Sequence, residues 1–349
     1  MSRTIDHLVR PNIRSLMPYH SARQDHLRGI LLDANENAFG SSAAAGDLPL
    51  NRYPDPLQAE LRSRLAALNG VRSDDVFVGV GSDEAIDLAV RIFCEPAADN
   101  VVIPQPTYGM YAVAAAIQNV EVRSCPLTAD FQIDRNAVAA LADGRTKLIF
   151  CCSPNNPTGN LLRREDLLAL CDRDVVVVVD EAYGEFAGTP SLAAEAAVRP
   201  NLIVLRTLSK AWGLAGIRCG YAVAHPSVIG LFLRVKSPYN VNALTSRVAL
   251  EALADAGRMH EVVARIREER TWLAAGLASL PCITEVFPSD ANFLLVRTTG
   301  ADRLYDHLAA NGIIVRNRTR DLRLEECLRI TVGTRPQNEL LLATLRGAA

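Results

Sequence analysis

The sequence has little that would direct it to a metal, a nucleic acid or a membrane. Of its 349 residues only six are histidine, and its eight cysteines form no CxxC pair. Its net charge is −2, so there is no basic excess for nucleic acid or anionic lipid. No run approaches the roughly 18 apolar residues of a membrane span, and "MSRTIDHLVR" has no apolar signal core. We expect a cytoplasmic protein without a metal, with reduced, mostly buried thiols.

The sequence does have a regular alternation of strand-like and helix-like segments. "DVFVGVG", "NVVIPQPTY", "TKLIFCC" and "DVVVVVDEAY" read as strands, each followed by a helical pattern. The run 175–179 is β-branched throughout, which is typical of a strand buried on both faces. This alternation predicts an α/β sheet with helical crossovers. After residue 245 the pattern becomes a smaller α+β lobe, which residues 1–40 could complete.

Two glycines mark a possible anion site at the end of the first strand. Gly79 and Gly81 precede a helix that we expect to begin near Ser82. Glycines let backbone amides approach an anion, and a helix N-terminus adds partial positive charge. There is no third glycine for a dinucleotide fingerprint and no GxxxxGK[ST], so an ordinary turn is an equal alternative.

Polar side chains follow several of the predicted strands. Asp180 ends the β-branched run, and Tyr183 follows it; an aspartate buried there would need a cationic partner, although it could simply cap a helix. In "SPNNPTG", Asn155 or Asn156 could contact a ligand or merely form a turn. Tyr108 in "PQPTYGMY" could cover a flat ring or pack against a core.

Lys210 lies in "RTLSKAWGLAGIRCG", between small hydroxyls and a later arginine. Thr207, Ser209 and Arg218 suit a phosphate, while a lysine among apolar residues suits a lowered pKa and attack on a carbonyl. One ligand would satisfy all these groups if it had a phosphate, an aldehyde, a flat ring and a ring nitrogen. Pyridoxal phosphate has these four features. A surface lysine beside an ordinary turn would leave the other segments as coincidences.

The motifs, taken in order, resemble those of fold-type I aminotransferases that use pyridoxal phosphate, and in particular the histidinol-phosphate aminotransferases. They are G-S-D-E, P-T-Y-G-M-Y, S-P-N-N-P-T-G, D-E-A-Y, T-L-S-K with an arginine eight residues later, and L-R-I-T-V-G-T-R. The resemblance implies a large domain with a mostly parallel seven-stranded sheet over 41–245. It implies a smaller α+β domain from 1–40 and 246–349, and a homodimer with active sites at the subunit interface.

The resemblance also assigns roles in holding the cofactor. Lys210 would form the imine with the cofactor aldehyde, and Asp180 would keep the pyridine nitrogen protonated, which makes the ring an electron sink. Asn156 and Tyr183 would hydrogen-bond the phenolic oxygen of the ring, and Tyr108 would stack on it. The phosphate would be held by the amides of Ser82 and Asp83 at the helix start, with Thr207, Ser209 and Arg218. Tyr53 of "RYPDP" would join them from the neighbouring subunit.

Substrate recognition rests on fewer positions. Arg329 in "LRITVG" resembles the arginine that binds the substrate α-carboxylate, a task that suits a planar guanidinium. Arg316 and Tyr19 match positions that contact the substrate phosphate, although 316–323 could be a solvated basic loop. The other residues expected near the substrate are Tyr108, Asn156, Asn35 and Glu36. The chain departs from the family pattern at Asn37-Ala38 and at Trp212, which puts fine substrate preference in doubt.

The resemblance implies ping-pong transfer of an amino group from L-glutamate to imidazole-acetol phosphate, which yields 2-oxoglutarate and histidinol phosphate in histidine biosynthesis. An aminotransferase for aromatic amino acids would keep every cofactor residue, so it is the first alternative. A phosphothreonine decarboxylase of the same fold would also use an arginine for phosphate. A non-catalytic regulator normally adds a DNA-binding domain, and none is expected before residue 30.

Overall fold

Seven strands from the first two thirds of the chain form one sheet in the structure, a computed structural model that describes residues 5–19, 21–25, 29–43 and 48–347. The strands are β1 Val76–Val80, β2 Asn100–Gln105, β3 Glu121–Pro126, β4 Thr146–Cys152, β5 Val176–Asp180, β6 Leu202–Thr207 and β7 Cys219–Ala224. Their order is β1-β7-β6-β5-β4-β2-β3. Strand β7 runs antiparallel to both neighbours, and the other pairs are parallel. The predicted mostly parallel sheet is confirmed.

Helices connect and cover the strands. They are α1 Pro11–Arg14, α2 Ala59–Asn69, α3 Gly81–Phe93, α4 Met110–Ile117, α5 Arg135–Leu141, α6 Arg164–Leu170, α7 Gly184–Ala187, α8 Ala193–Val198, α9 Pro226–Val235, α10 Ala243–Leu253, α11 Ala256–Ala278, α12 Ala301–Ala310 and α13 Arg335–Arg346. Three 3-10 turns lie at Ala22–Gln24, Ser73–Asp75 and Ala215–Ile217.

The side chains of strand β5 pack against helices on both faces of the sheet. Alternate side chains of a strand point to opposite faces. Val176 and Val178 belong to the apolar cluster with α3, α4 and α9, whereas Val177 and Val179 belong to the cluster with α5 and α6. All four are fully buried, as the β-branched run predicts.

A second, antiparallel sheet lies in the last third of the chain. Its strands are β8 Ile283–Val286, β9 Phe293–Thr298, β10 Arg316–Asn317 and β11 Cys327–Thr331, in the order β10-β11-β9-β8. Residues of α11, α12 and α13 form one apolar cluster with it. The domain boundaries 41–245, 1–40 and 246–349 stay a prediction, and their ends at 1–4 and 348–349 lie outside the described residues. Helices α3 and α9, which cover the large sheet, pack against four apolar residues from the start of the chain: Ile5, Leu8, Val9 and Ile13.

The cysteines are all buried free thiols, as expected. Among the described residues, no three His, Cys, Asp or Glu side chains are grouped so that they could hold a metal ion. Within the same residues, no helix has the length and apolar character needed to cross a membrane.

Candidate active site

The carboxyl ends of the parallel strands bring the predicted site residues to one edge of the large sheet. Asp180 is the last residue of β5, Thr207 is the last of β6, and the segment 153–159 follows β4. This edge is where open α/β sheets bind ligands. The Lys210 cluster, defined as Asn156, Asp180, Tyr183, Lys210 and Arg329, lies there with contributions from both sheets.

Asp180 is a buried carboxylate with a defined orientation. Its Oδ2 accepts a 2.8 Å hydrogen bond from Tyr111 Oη, and its Oδ1 accepts a 3.0 Å bond from the Ala182 amide. Burial raises the pKa of Asp180 to about 6, although these two hydrogen bonds act to lower it. A buried acid held in this way can pair with a cation, such as a protonated ring nitrogen.

Lys210 presents its amine beside Tyr183. The Nζ atom lies 5.5 Å from the centre of the Tyr183 ring, and the lysine as a whole stays exposed. Partial desolvation lowers the pKa of the Lys210 amine, and the nearby Arg329 charge acts in the same direction. A larger neutral fraction and an accessible amine are what addition to an aldehyde requires.

Asn156 joins Tyr183 to Arg329. Its Nδ2 lies 3.5 Å from Tyr183 Oη, and its Oδ1 accepts a hydrogen bond from Arg329 Nη1. The Arg329 guanidinium lies 5.3 Å from the ring centre of Phe293, which in turn packs edge-on against Tyr183 at 5.1 Å. Three of the predicted residues are therefore linked into one aromatic and polar wall. Either Asn155 or Asn156 could have faced a ligand; the structure places Asn156 there, while Asn155 bonds Thr158 and the Pro106 carbonyl.

The opposite end of the site has the features of an anion cradle. Arg218 Nη1 approaches Ser209 Oγ at 3.4 Å, and Arg218 Nη2 lies 3.3 Å from Asp83 Oδ2. Tyr108 donates a 3.2 Å hydrogen bond to the other Asp83 oxygen, and Thr207 Oγ1 accepts from the Ser209 amide at 3.1 Å. These residues surround the N-terminus of α3, so hydroxyls, a guanidinium and helix amides converge there.

Glycine at 220 allows strand β7 to lie against the start of α3. A Cβ at Gly220 would lie 2.2 Å from the Ser82 nitrogen and 2.4 Å from the Gly81 carbonyl carbon. Gly81 itself has a φ of +75°, and the helix begins at this residue, one position before the predicted start. The backbone of β7 therefore packs closely against the start of α3, with no room for a side chain at position 220.

Arg316 is brought opposite Arg329. The two residues are directly paired on β10 and β11, so their side chains leave the same face of the small sheet. Arg318 is paired with Asp321, and Arg323 donates a 2.6 Å hydrogen bond to the Leu127 carbonyl. Of the four arginines in 316–323, Arg316, Arg320 and Arg323 are exposed, and Arg316 is the one paired with Arg329 across the two strands.

The residues predicted from the N-terminal segment lie apart from the Lys210 cluster. In the part of the chain that the structure describes, no hydrogen bond or ring contact joins Tyr19, Asn35 or Tyr53 to it. Tyr53 is 50% exposed and stacks on Tyr239 at 4.4 Å, and Tyr19 is 69% exposed. The structure therefore does not bring these three residues into the site within one chain.

Glu36 organises the same segment. Its carboxylate accepts 2.6 Å hydrogen bonds from Arg23, Arg52 and the Tyr53 amide. Burial alone would raise the pKa of Glu36, but these bonds lower it to about 2. The Glu36 side chain is only 4% exposed, and it forms buried ion pairs with Arg23 and Arg52. Its observed contacts hold the backbone of Tyr53 rather than a substrate.

The next residue after Asp180 faces away from the cluster. Glu181 accepts hydrogen bonds from Ser191 Oγ at 2.5 Å and from the Leu192 amide at 2.8 Å. It lines a cavity of about 630 Å³ together with Ser153, Glu185, Arg206, Met259 and His260. No residue of the Lys210 cluster lines this cavity, so the cavity is separate from the candidate active site.

Comparison with known proteins identifies the family. A model of the family described as aminotransferase class I and II matches residues 28–345. This chain is a class I and II aminotransferase. It is 50% identical over 343 residues to a histidinol-phosphate aminotransferase of Parabacteroides distasonis, which covers 97% of each protein. The resemblance seen in the motifs is confirmed.

Solved structures are similar to this aminotransferase over most of its length. Histidinol-phosphate aminotransferase from Sinorhizobium meliloti, in complex with pyridoxal-5'-phosphate, matches with a TM-score of 0.78 and 28% identity, over 97% of this chain and 96% of that chain. L-threonine-O-3-phosphate decarboxylase from Porphyromonas gingivalis matches with a TM-score of 0.73 and 26% identity, over 85% and 90%. The fold is therefore shared by an aminotransferase and a decarboxylase.

Sequence reasoning missed two residues of the site in this aminotransferase. Tyr111, the second tyrosine of "PTYGMY", contacts Asp180, and Phe293 of "NFLLVRT" lies against Arg329. Tyr111 belongs to the motif that already supplied Tyr108 and is the second residue of α4, so the motif itself was a usable signal. Phe293 offered no signal, since its role depends on the packing of one sheet against the other.

Proposed function

We propose that this aminotransferase moves an amino group from L-glutamate to imidazole-acetol phosphate, giving 2-oxoglutarate and histidinol phosphate in histidine biosynthesis. The observation that carries the proposal is the cross-strand pair of Arg316 and Arg329 beside the reactive amine of Lys210. Two guanidinium groups on one face can bind two anionic groups, a carboxylate and a phosphate. The name of the P. distasonis relative, at 50% identity, supports this choice of substrates.

We further propose pyridoxal phosphate as the cofactor, because the side chains present fit it. Asp180 would face the ring nitrogen, and Tyr108 would lie over the ring. The backbone amides of Ser82 and Asp83 would hold the phosphate together with Thr207, Ser209 and Arg218, at the close-packed backbone that Gly220 permits. When bound, this cofactor supplies an aldehyde that joins an amine and a cationic ring that accepts electron density from the neighbouring carbon.

The side chains of this chain would then do the following work. Lys210 is the residue that would hold the cofactor through its aldehyde, and its amine would serve as the base that takes a proton from the substrate α-carbon. Asp180 would hold the proton on the ring nitrogen. Tyr183 and Asn156 would donate hydrogen bonds to the phenolic oxygen. Arg329, fixed by Asn156 and Phe293, would orient the glutamate carboxylate.

We propose that the active form is a homodimer in which Tyr53 reaches the cofactor phosphate of the partner. Apolar side chains of the N-terminal segment support this, since Ile30 is 92% exposed, Leu32 is 82% exposed and Phe39 is fully exposed. Tyr19 and Asn35 of this segment would contact substrate. Sedimentation should give a dimer mass, and a monomer that is fully active would exclude the arrangement. We place the enzyme in the cytoplasm, where its eight free thiols would stay reduced.

A substrate panel on the purified protein tests the function. Glutamate should convert the bound cofactor to its amine form, as seen by absorbance, and imidazole-acetol phosphate should convert it back more efficiently than phenylpyruvate. Preference for phenylpyruvate would favour an aromatic aminotransferase. Release of CO₂ from phosphothreonine would favour the decarboxylase reaction named for the P. gingivalis structure.

A further inference from the structure

Tyr111 lies between Tyr108, which we propose covers the cofactor ring, and the buried carboxylate of Asp180. Its hydroxyl donates a 2.8 Å hydrogen bond to Asp180 Oδ2, and its side chain is fully buried. The ring stacks on Phe150 at 5.0 Å with an interplanar angle of 6°, and it meets Tyr108 edge-on at 5.5 Å. Packing on both sides therefore fixes where the hydroxyl points.

We propose that Tyr111 is a positioning residue that keeps Asp180 ionised and oriented toward the ring nitrogen of the cofactor. This inference rests on the proposed function, since it assumes that a cationic ring binds at Asp180. A neutral hydroxyl that donates to a carboxylate stabilises the ionised form without competing for the cation. Tyr111 would thus favour the charged pair of carboxylate and protonated ring over a neutral pair.

Besides Tyr111, the groups near Asp180 are two charged side chains, a neutral thiol and one backbone amide. The Asp83 charge opposes ionisation of Asp180, whereas the Lys210 charge favours it only while the lysine is protonated. Cys152 donates its thiol to the Pro154 carbonyl at 3.3 Å, and burial raises the pKa of that thiol, so it stays neutral. The remaining bond, from the Ala182 amide, reaches the other carboxylate oxygen. Among the described residues, Tyr111 is therefore the neutral side-chain donor to Asp180.

The test is the equilibrium affinity of the full-length protein, stripped of cofactor, for pyridoxal phosphate. Y111F should weaken binding about tenfold, because a hydrogen bond to a charged group contributes that order of affinity. Y221F is the matched control: Tyr221 is equally buried and its hydroxyl accepts from Asn69, so it should keep wild-type affinity. Thermal unfolding of the stripped proteins checks that all variants fold.

A double-mutant cycle shows whether Tyr111 acts through Asp180. In the D180A background, adding Y111F should cause no further loss of affinity. Wild-type affinity in Y111F, an equal loss in Y221F, or a tenfold loss that persists in the D180A background would each overturn the role of Tyr111. Wild-type affinity in D180A alone would instead refute the proposed function, and the inference with it.

Discussion

Arg316 and Arg329 lie directly opposite each other on neighbouring antiparallel strands. Like charges in this position repel, so the pair carries a cost of roughly 0.2–1 kcal/mol that a bound anion would offset. The pair therefore predicts a variant that loses function without losing stability.

R316A should raise the KM for imidazole-acetol phosphate by roughly 10- to 100-fold, because a charge-assisted contact contributes about 1.5–3 kcal/mol. Its melting temperature should stay the same or rise, since a repulsive neighbour is gone. Steady-state kinetics and thermal unfolding measure both effects. R320A, which removes an exposed arginine of the same loop, is the control and should leave KM unchanged. An equal rise of KM in R320A would indicate a diffuse basic field rather than a site.

Lys210 should be the residue that carries the cofactor. The chain contains three lysines, Lys147, Lys210 and Lys236. Burial lowers the pKa of Lys236 to about 8, but its amine donates to two carbonyls and to Asn240. Borohydride reduction of the cofactor-bound protein, followed by peptide mass spectrometry, should find the adduct on Lys210 alone. An adduct on Lys236 would contradict the assignment.

The stability of the cofactor-free protein should depend on pH through Asp180. Its pKa is raised from 3.8 to about 6, so between these values the folded state binds more protons than the unfolded state. The free energy of unfolding should therefore increase as the pH falls from 6 toward 4, relative to D180N. Urea unfolding at several pH values measures this. Cofactor affinity should change in the opposite direction, because the protonated acid no longer attracts a cation.

Gly220 should be needed for the anion cradle. In G220A the new methyl group would meet the Ser82 nitrogen at 2.2 Å, and a backbone atom cannot move aside without shifting the start of α3. We expect a destabilisation of about 1–3 kcal/mol and weaker binding of the cofactor phosphate. G216A is the control, since nothing lies within 4 Å of its added atom. Normal stability and cofactor affinity in G220A would mean that the two elements are less closely packed than described.

The sequence predicted the parts of this molecule that depend on local pattern. The β-branched run gave the position of β5, and Asp180 and Tyr183, at and after its end, lie in the Lys210 cluster. Such predictions succeed because a strand buried on both faces needs apolar residues throughout, and polar residues can begin only where the strand ends.

Features that depend on distant parts of the chain were not predictable. The contact of Gly220 with Ser82 needs β7 to insert beside β1, and no local pattern indicated that antiparallel strand. The pairing of Arg316 with Arg329 depends on the register of the two-residue strand β10. Tyr19 and Asn35 belong to a segment with little regular structure, so no periodicity could place them.

The burial of every native thiol makes the folded protein convenient for site-specific labelling. Burial raises the pKa of each of the eight cysteines, for example that of Cys125 to about 11, so thiol-reactive dyes should spare the native chain. A single cysteine introduced at the exposed position 198, at the end of α8, would then carry the only fluorophore. In the proposed homodimer, its emission would report directly on the exchange of subunits between labelled and unlabelled molecules.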